Sequence, residues 1–111
     1  MDKTFFRETL EVIYMMMTIV EGKVKEENWP KLKEAYKEAT DNLPIGLIKT
    51  FLIQSVGDAL VWRIISIWEN REALEKMRSS GETPGAILIF RAAESEPEVS
   101  IFEVVFSKKV V

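Results

Sequence analysis

Residues 45–70 read IGLIKTFLIQSVGDALVWRIISIWEN, and the fold turns on how this stretch is read. Two runs rich in Ile, Leu, Val, Phe and Trp, residues 45–56 and 59–69, flank Gly57-Asp58. Runs of this length and composition bounded by turn formers read as strands, and the short turn between them as an antiparallel hairpin. Side chains alternate between the faces of a strand. In the first run Ile45, Leu47, Phe51 and Ile53 share one face, and Ile48, Leu52 and Val56 the other. In the second, Val61, Ile65 and Ile67 oppose Leu60, Trp62, Ile64 and Trp68. Both faces are apolar, so the sheet needs cover on two sides.

Towards the N-terminus, residues 14–24 mix Met, Thr, Ile and Val with few breakers and predict another strand. Between it and the hairpin the period changes. Trp29, Leu32, Tyr36, Ala39 and Leu43 recur at steps of three and four, one face of an amphipathic helix, with Lys31, Lys33, Glu34, Lys37 and Glu38 on the other. Asn28 is the expected N-cap, Pro30 suits a first turn, and Asn42 and Pro44 close the helix. Towards the C-terminus, Asn70 is again an expected N-cap, for a helix over 71–80 that buries Ala73, Leu74 and Met77 and stops at Gly81. Residues 85–93 are ambiguous. Their Ile87-Leu88-Ile89-Phe90 run suits a buried strand, but Thr83-Pro84 before it and Arg91-Ala92-Ala93 after it favour a short helix. After Pro97, residues 99–106 predict a last strand, in which Val99, Ile101 and Val105 oppose Phe102, Val104 and Phe106.

The order β-α-β-β-α-(α)-β predicts an α+β, ferredoxin-like sandwich over residues 14–107, a four-stranded antiparallel sheet with helices on one face. Residues 1–13 form an N-terminal extension in which Phe5, Phe6, Thr9, Leu10 and Ile13 fit one face of a short helix, and 108–111 form a tail. Helices cover one face only. A large bare apolar face is not tolerated in a soluble monomer, so the reading predicts a two-fold homodimer by sheet-to-sheet packing, a dimeric α/β barrel.

Composition narrows the chemistry. The 111 residues fit one domain, and a net charge of −3 with no basic stripe argues against nucleic acid. No cysteine and no histidine occur, which removes disulfides, thiol nucleophiles, the commonest metal ligand and the commonest general base. No tight carboxylate cluster suggests a metal, no glycine-rich loop suggests a phosphate, and no cofactor is expected. The apolar run at 12–20 is too short for a membrane span and lacks the features of a signal peptide, so a cytoplasmic protein without membrane contact is expected.

The strand-to-helix passage Ser66-Ile67-Trp68-Glu69-Asn70-Arg71-Glu72-Ala73-Leu74 resembles the Trp-Glu-(Ser/Asn)-x-Glu-Ala-(Leu/Phe) turn of antibiotic biosynthesis monooxygenase-like domains, members of the dimeric α/β-barrel superfamily. The first strand followed by Trp29 to Ala39, and Glu96-Pro97-Glu98 before the last strand, fit the same pattern. The resemblance runs from about Met16 to Phe106. It implies a homodimer in which each subunit holds a pocket between sheet and helices. Some relatives oxidise polycyclic phenols without metal or flavin, using Asn, Tyr and Trp. Trp68 matches the family Trp, while no strand residue matches the Asn. Others degrade haem through a histidine ligand, a branch disfavoured in a chain without histidine.

Four charged residues interrupt the apolar strands: Glu21, Lys49, Arg63 and Glu103. In the expected strand order 4-1-3-2 they would stand across the sheet as Glu103, Glu21, Arg63 and Lys49. One reading makes them a polar cluster, in which Arg63 or Lys49 holds an anionic or phenolic ligand and Glu21 or Glu103 accepts a proton. The other makes them a structural ion-pair ladder or exposed edge charges. Likewise Trp29, Tyr36, Trp62, Trp68 and Phe90 either line a pocket for a flat aromatic ligand or are plain core. The candidate ligand contacts are thus Lys49, Trp62, Trp68, Tyr36 and Phe90, and the candidate catalytic residues Glu21, Arg63 and Glu103. Two functions remain open: a cofactor-independent monooxygenase acting on an aromatic or phenolic small molecule, and a non-catalytic ligand-binding or stress-related dimeric module.

Overall fold

Four strands and three helices follow one another in the order β-α-β-β-α-α-β in a computed structural model that describes residues 14–110. β1 spans Met16–Lys23, α1 Trp29–Ala39, β2 Leu47–Gln54, β3 Val61–Trp68, α2 Arg71–Arg78, α3 Gly85–Ala92 and β4 Glu98–Glu103. A single 3₁₀ turn, Glu26–Asn28, leads into α1. The sheet is antiparallel in the order β2-β3-β1-β4, and the chain has the expected α+β, ferredoxin-like fold. The helix expected within residues 1–13 lies outside the described residues.

Register decides which side chains meet the helices. Thr18 stands opposite Ser66 and Val20 opposite Ile64, so the even-numbered residues of β1 and β3 share a face. That face is the buried one: Met16, Val20, Trp62, Ile64 and Trp68 are at most 4% exposed. The core on this side is divided in two. The larger cluster joins Val20, Trp62 and Ile64 to Leu32, Ile89 and Phe90. The smaller joins Met16 and Trp68 to Leu74, with Leu47, Ala73 and Met77 packed against it.

Three local expectations are corrected. A β-bulge in β2 falls between Leu47 and Lys49, so Leu47 and Phe51 lie on opposite faces rather than one: Leu47 joins the smaller core cluster, while Phe51 stands opposite Ile65 on the outer face. An extra residue inverts the alternation, which strict period-two counting does not allow for. β4 stops at Glu103, short of Phe106. Asn28 does not cap α1 with its side chain; it is buried at the end of the 3₁₀ turn instead. The Asn70 expectation holds, with its Oδ1 accepting from the Ala73 amide at 2.8 Å.

The ambiguous segment is helical. Pro84 has no N–H to give a ladder, and its fixed φ of −54° leads directly into the first turn of α3. Ile89 and Phe90 turn inwards and Leu88 outwards, as helical spacing requires.

The outer face carries Met17, Ile19 and Glu21 of β1, Ile65, Ile67 and Arg63 of β3, Lys49, Phe51 and Ile53 of β2, and Phe102 of β4. Among the described residues no helix covers it, and Phe51, Ile53 and Phe102 are 39, 39 and 51% exposed.

Candidate functional site

The gap between the two core clusters opens into a cleft of about 1160 Å³ on the helix side of the sheet. Its floor is Thr18 and Val20 of β1, Ile64, Ser66 and Trp68 of β3, Leu47 and Thr50 of β2, and Val99 and Ile101 of β4. Tyr36 and Ala39 of α1, Leu74 and Met77 of α2, and Ile87 and Ile89 of α3 form the walls.

The polar atoms of this floor are neutral and ordered by register. Thr50, Ser66 and Thr18 are direct cross-strand partners on β2, β3 and β1. Ser66 Oγ lies 3.4 Å from Thr50 Oγ1, and the Tyr36 hydroxyl donates to Thr50 Oγ1 over 3.3 Å. The Trp68 indole N–H donates to Thr18 Oγ1 at 3.2 Å. This bond fixes the plane of a ring that is only 4% exposed yet lines the cleft. Charges stand at the rim, where Glu38, Glu69, Glu72 and Glu82 outnumber Lys76 and Arg78.

The sequence candidates divide between the faces. Trp68 and Tyr36 line the cleft. Trp62 and Phe90, 4% and 0% exposed, are packed in the larger core cluster and absent from the lining. Trp62 meets Trp29 edge to face, with ring centroids 5.7 Å apart. Glu21 and Arg63 are cross-strand partners and form an ion pair on the outer face, with half-exposed side chains. Lys49 is also on that face, its ammonium 5.0 Å from the Phe51 ring. It stands opposite Ile67, whereas Ile53 occupies the place beside Arg63. Glu103 stands opposite Met16 and pairs with Arg71 at 3.5 Å. The four strand charges therefore do not form one row; Glu21–Arg63 is the pair that the register brings together.

Sequence reasoning missed Thr18, Thr50 and Ser66. The available signal was a small hydroxyl residue interrupting each of three apolar strands, although only the register puts them side by side. Among the described residues no group of three or more carboxylates is placed to hold a metal ion, and no helix is long and apolar enough to cross a membrane.

A family model described as antibiotic biosynthesis monooxygenase matches residues 15–86. Among solved structures, a conserved protein of unknown function from Bacteroides thetaiotaomicron VPI-5482 is 26% identical and superposes with a TM-score of 0.63, over 81% of this chain and 97% of that one. A conserved protein from Methanosarcina mazei Go1 is 16% identical with a TM-score of 0.66, over 86% and 98% of the two chains. SnoaB, a cofactor-independent oxygenase from Streptomyces nogalater, is 12% identical with a TM-score of 0.62, over 88% and 97%. At such identities the last two likenesses speak for the fold alone. No curated protein matches the chain.

Proposed function

The chain belongs to the antibiotic biosynthesis monooxygenase family, and from that premise we propose that it is a homodimeric, cofactor-independent monooxygenase acting on an aromatic, phenolic small molecule in the cleft between sheet and helices. The observation that carries the reading is the cleft itself. It has an apolar body roomy enough for a fused-ring ligand, a few polar groups on its floor, and the family Trp68 held there by Thr18. Apolar concavity with few convergent polar groups is the usual form of a small-molecule site.

The chemistry such a site has to supply is modest. An electron-rich phenol that loses a proton becomes a reductant for dioxygen. Recombination at an activated CH₂ carbon gives a hydroperoxide, and loss of water leaves a carbonyl. One oxygen atom ends in the product, the other in water with the two hydrogens of the CH₂. The protein's part is to hold the ring, exclude bulk water and accept a proton. With no histidine in the chain, the rim carboxylates are the anionic acceptors near the cleft.

The homodimer is supported by the outer sheet face, whose apolar residues on four strands are not covered by any helix among the described residues. Oxygen uptake with a panel of reduced polycyclic phenols tests the enzyme reading. Acceleration over buffer is expected on at least one compound, falling by roughly 10²-fold in Trp68→Phe, the scale lost when a reacting group is misplaced. No acceleration on any compound, with binding retained, would establish the non-catalytic ligand-binding module instead.

A further inference from the structure

The polar row on the cleft floor is out of place in a core. On each of three strands it interrupts the apolar face at one level, with Trp68, Met16 and Leu47 on one side and Ile64, Val20 and Leu52 on the other. Thr18 and Ser66 are each only 8% exposed. Burying hydroxyls is unfavourable unless they are well bonded, and these are not well bonded to one another. The Tyr36–Thr50 and Thr50–Ser66 separations of 3.3 and 3.4 Å are long beside the roughly 2.7–2.8 Å of a good O–H···O bond. Each hydroxyl both donates and accepts, so the row has hydrogen-bonding capacity to offer the cleft above it.

We propose that Thr50, Ser66 and Thr18, with Tyr36 at the β2 end, form a docking row for the oxygen atoms of a planar, uncharged ligand, and so act as positioning and specificity residues. The proposal rests on the cleft being the ligand site proposed above. Three factors argue for this ligand class. Thr50 Oγ1 and Ser66 Oγ stand 3.4 Å apart on neighbouring strands and Thr18 continues the row on a third, so the row suits several oxygens spaced along one edge of a flat ring system rather than a single anionic head. Hydroxyl donors satisfy a carbonyl, whereas an ionised group over an apolar floor would lose its hydration without a facing cation. The four carboxylates against two cations at the rim also repel a free carboxylate. Trp68 commits its one N–H to Thr18, which leaves the hydroxyls as the donors of the floor.

Binding of three probes, followed by quenching of tryptophan fluorescence, tests this without reference to turnover: dihydroxyanthraquinone, anthracene and anthracene carboxylate. Wild type is expected to bind the dihydroxy compound most tightly and the carboxylate least. Thr50→Val and Ser66→Ala should each weaken the dihydroxy compound roughly tenfold, the order of one hydrogen bond, and leave anthracene unchanged. Thr50→Ser, which keeps the hydroxyl, should restore binding. Equal losses for dihydroxyanthraquinone and anthracene, no loss for either, carboxylate binding as tight as that of the dihydroxy compound, or no binding of the dihydroxy compound by wild type would each overturn the proposal. If the contrasts hold while no phenol consumes oxygen, the oxygenase reading fails and the docking row stands.

Discussion

Arg91 and Glu96 meet across the turn from α3 to β4. Arg91 Nη2 donates to Oε1 at 2.8 Å and Nε donates to Oε2 at 3.0 Å. The hydrogen bond from Arg91, helped by its charge, holds the Glu96 carboxyl below the usual carboxylate range. The same bond raises the Arg91 guanidinium, which stays charged at any pH where the fold would be tested. The sign follows from the depressed carboxyl. Its stabilisation is present at neutral pH and is lost as pH falls from the unfolded value, near about 4.3, through the lower folded one. Both side chains are half-exposed or more, so solvent screens the pair and the effect is small. Wild type is expected to resist urea slightly better than Glu96→Gln at neutral pH, with the gap closing on acidification; a gap that widened in acid would contradict the assignment. At this scale the sequence was unevenly legible. Trp68, Tyr36, Trp62 and Phe90 are all open to reading as pocket or as core, and only the first two line the cleft, since a core position and a cleft position share one period. Thr50 was hidden by the bulge at Ile48, which inverts the face count.

At the scale of elements, the contact between the start of β2 and α2 shapes one end of the cleft. Gly46 adopts a φ of +90°, and a Cβ placed on it would lie 2.5 Å from the Ala73 Cβ. Its carbonyl accepts from the Glu69 amide at 2.8 Å, tying the β2 entry to the end of β3. Gly46→Ala therefore combines a left-handed backbone with a collision against α2, and is expected to cost roughly 2 kcal/mol or more. Gly57→Ala, whose nearest neighbour would be 3.9 Å away, serves as control and should stay within about 0.5 kcal/mol. Asn70→Ala removes the bond to the Ala73 amide at the N-terminus of an eight-residue helix and should cost about 1 kcal/mol. Urea denaturation reads all three, and a Gly46→Ala midpoint equal to wild type would refute the close packing. Elements were the most legible level, because hydropathy period and punctuation by Asn, Pro and Gly act locally. The ends were less so. Val105 and Phe106 have strand-like character but lie past β4, 70% and 84% exposed, where residue type alone gives them no partner.

At the scale of the molecule, the sheet has two faces with different tasks. The helix side holds the cleft, and the outer side holds Phe51, Ile65 and Ile19 in one cross-strand row. A second subunit packed there would cover this row and leave the cleft open on the far side of the sheet. Phe51 is 39% exposed in the single chain, so Phe51→Glu places its charge in water if the chain stays alone, at little cost. In a sheet-to-sheet dimer it instead buries an unpaired carboxylate against its twin around the two-fold axis, which is strongly unfavourable. Wild type is accordingly expected to sediment as a dimer and Phe51→Glu as a folded monomer with an unchanged circular dichroism spectrum. The variant should still bind dihydroxyanthraquinone, because Thr50, Ser66 and Tyr36 face away from the substituted surface. A wild-type monomer in dilute solution would refute the pairing. Loss of probe binding together with dimerisation would show instead that the cleft takes its working shape only when the sheet is backed by a second copy.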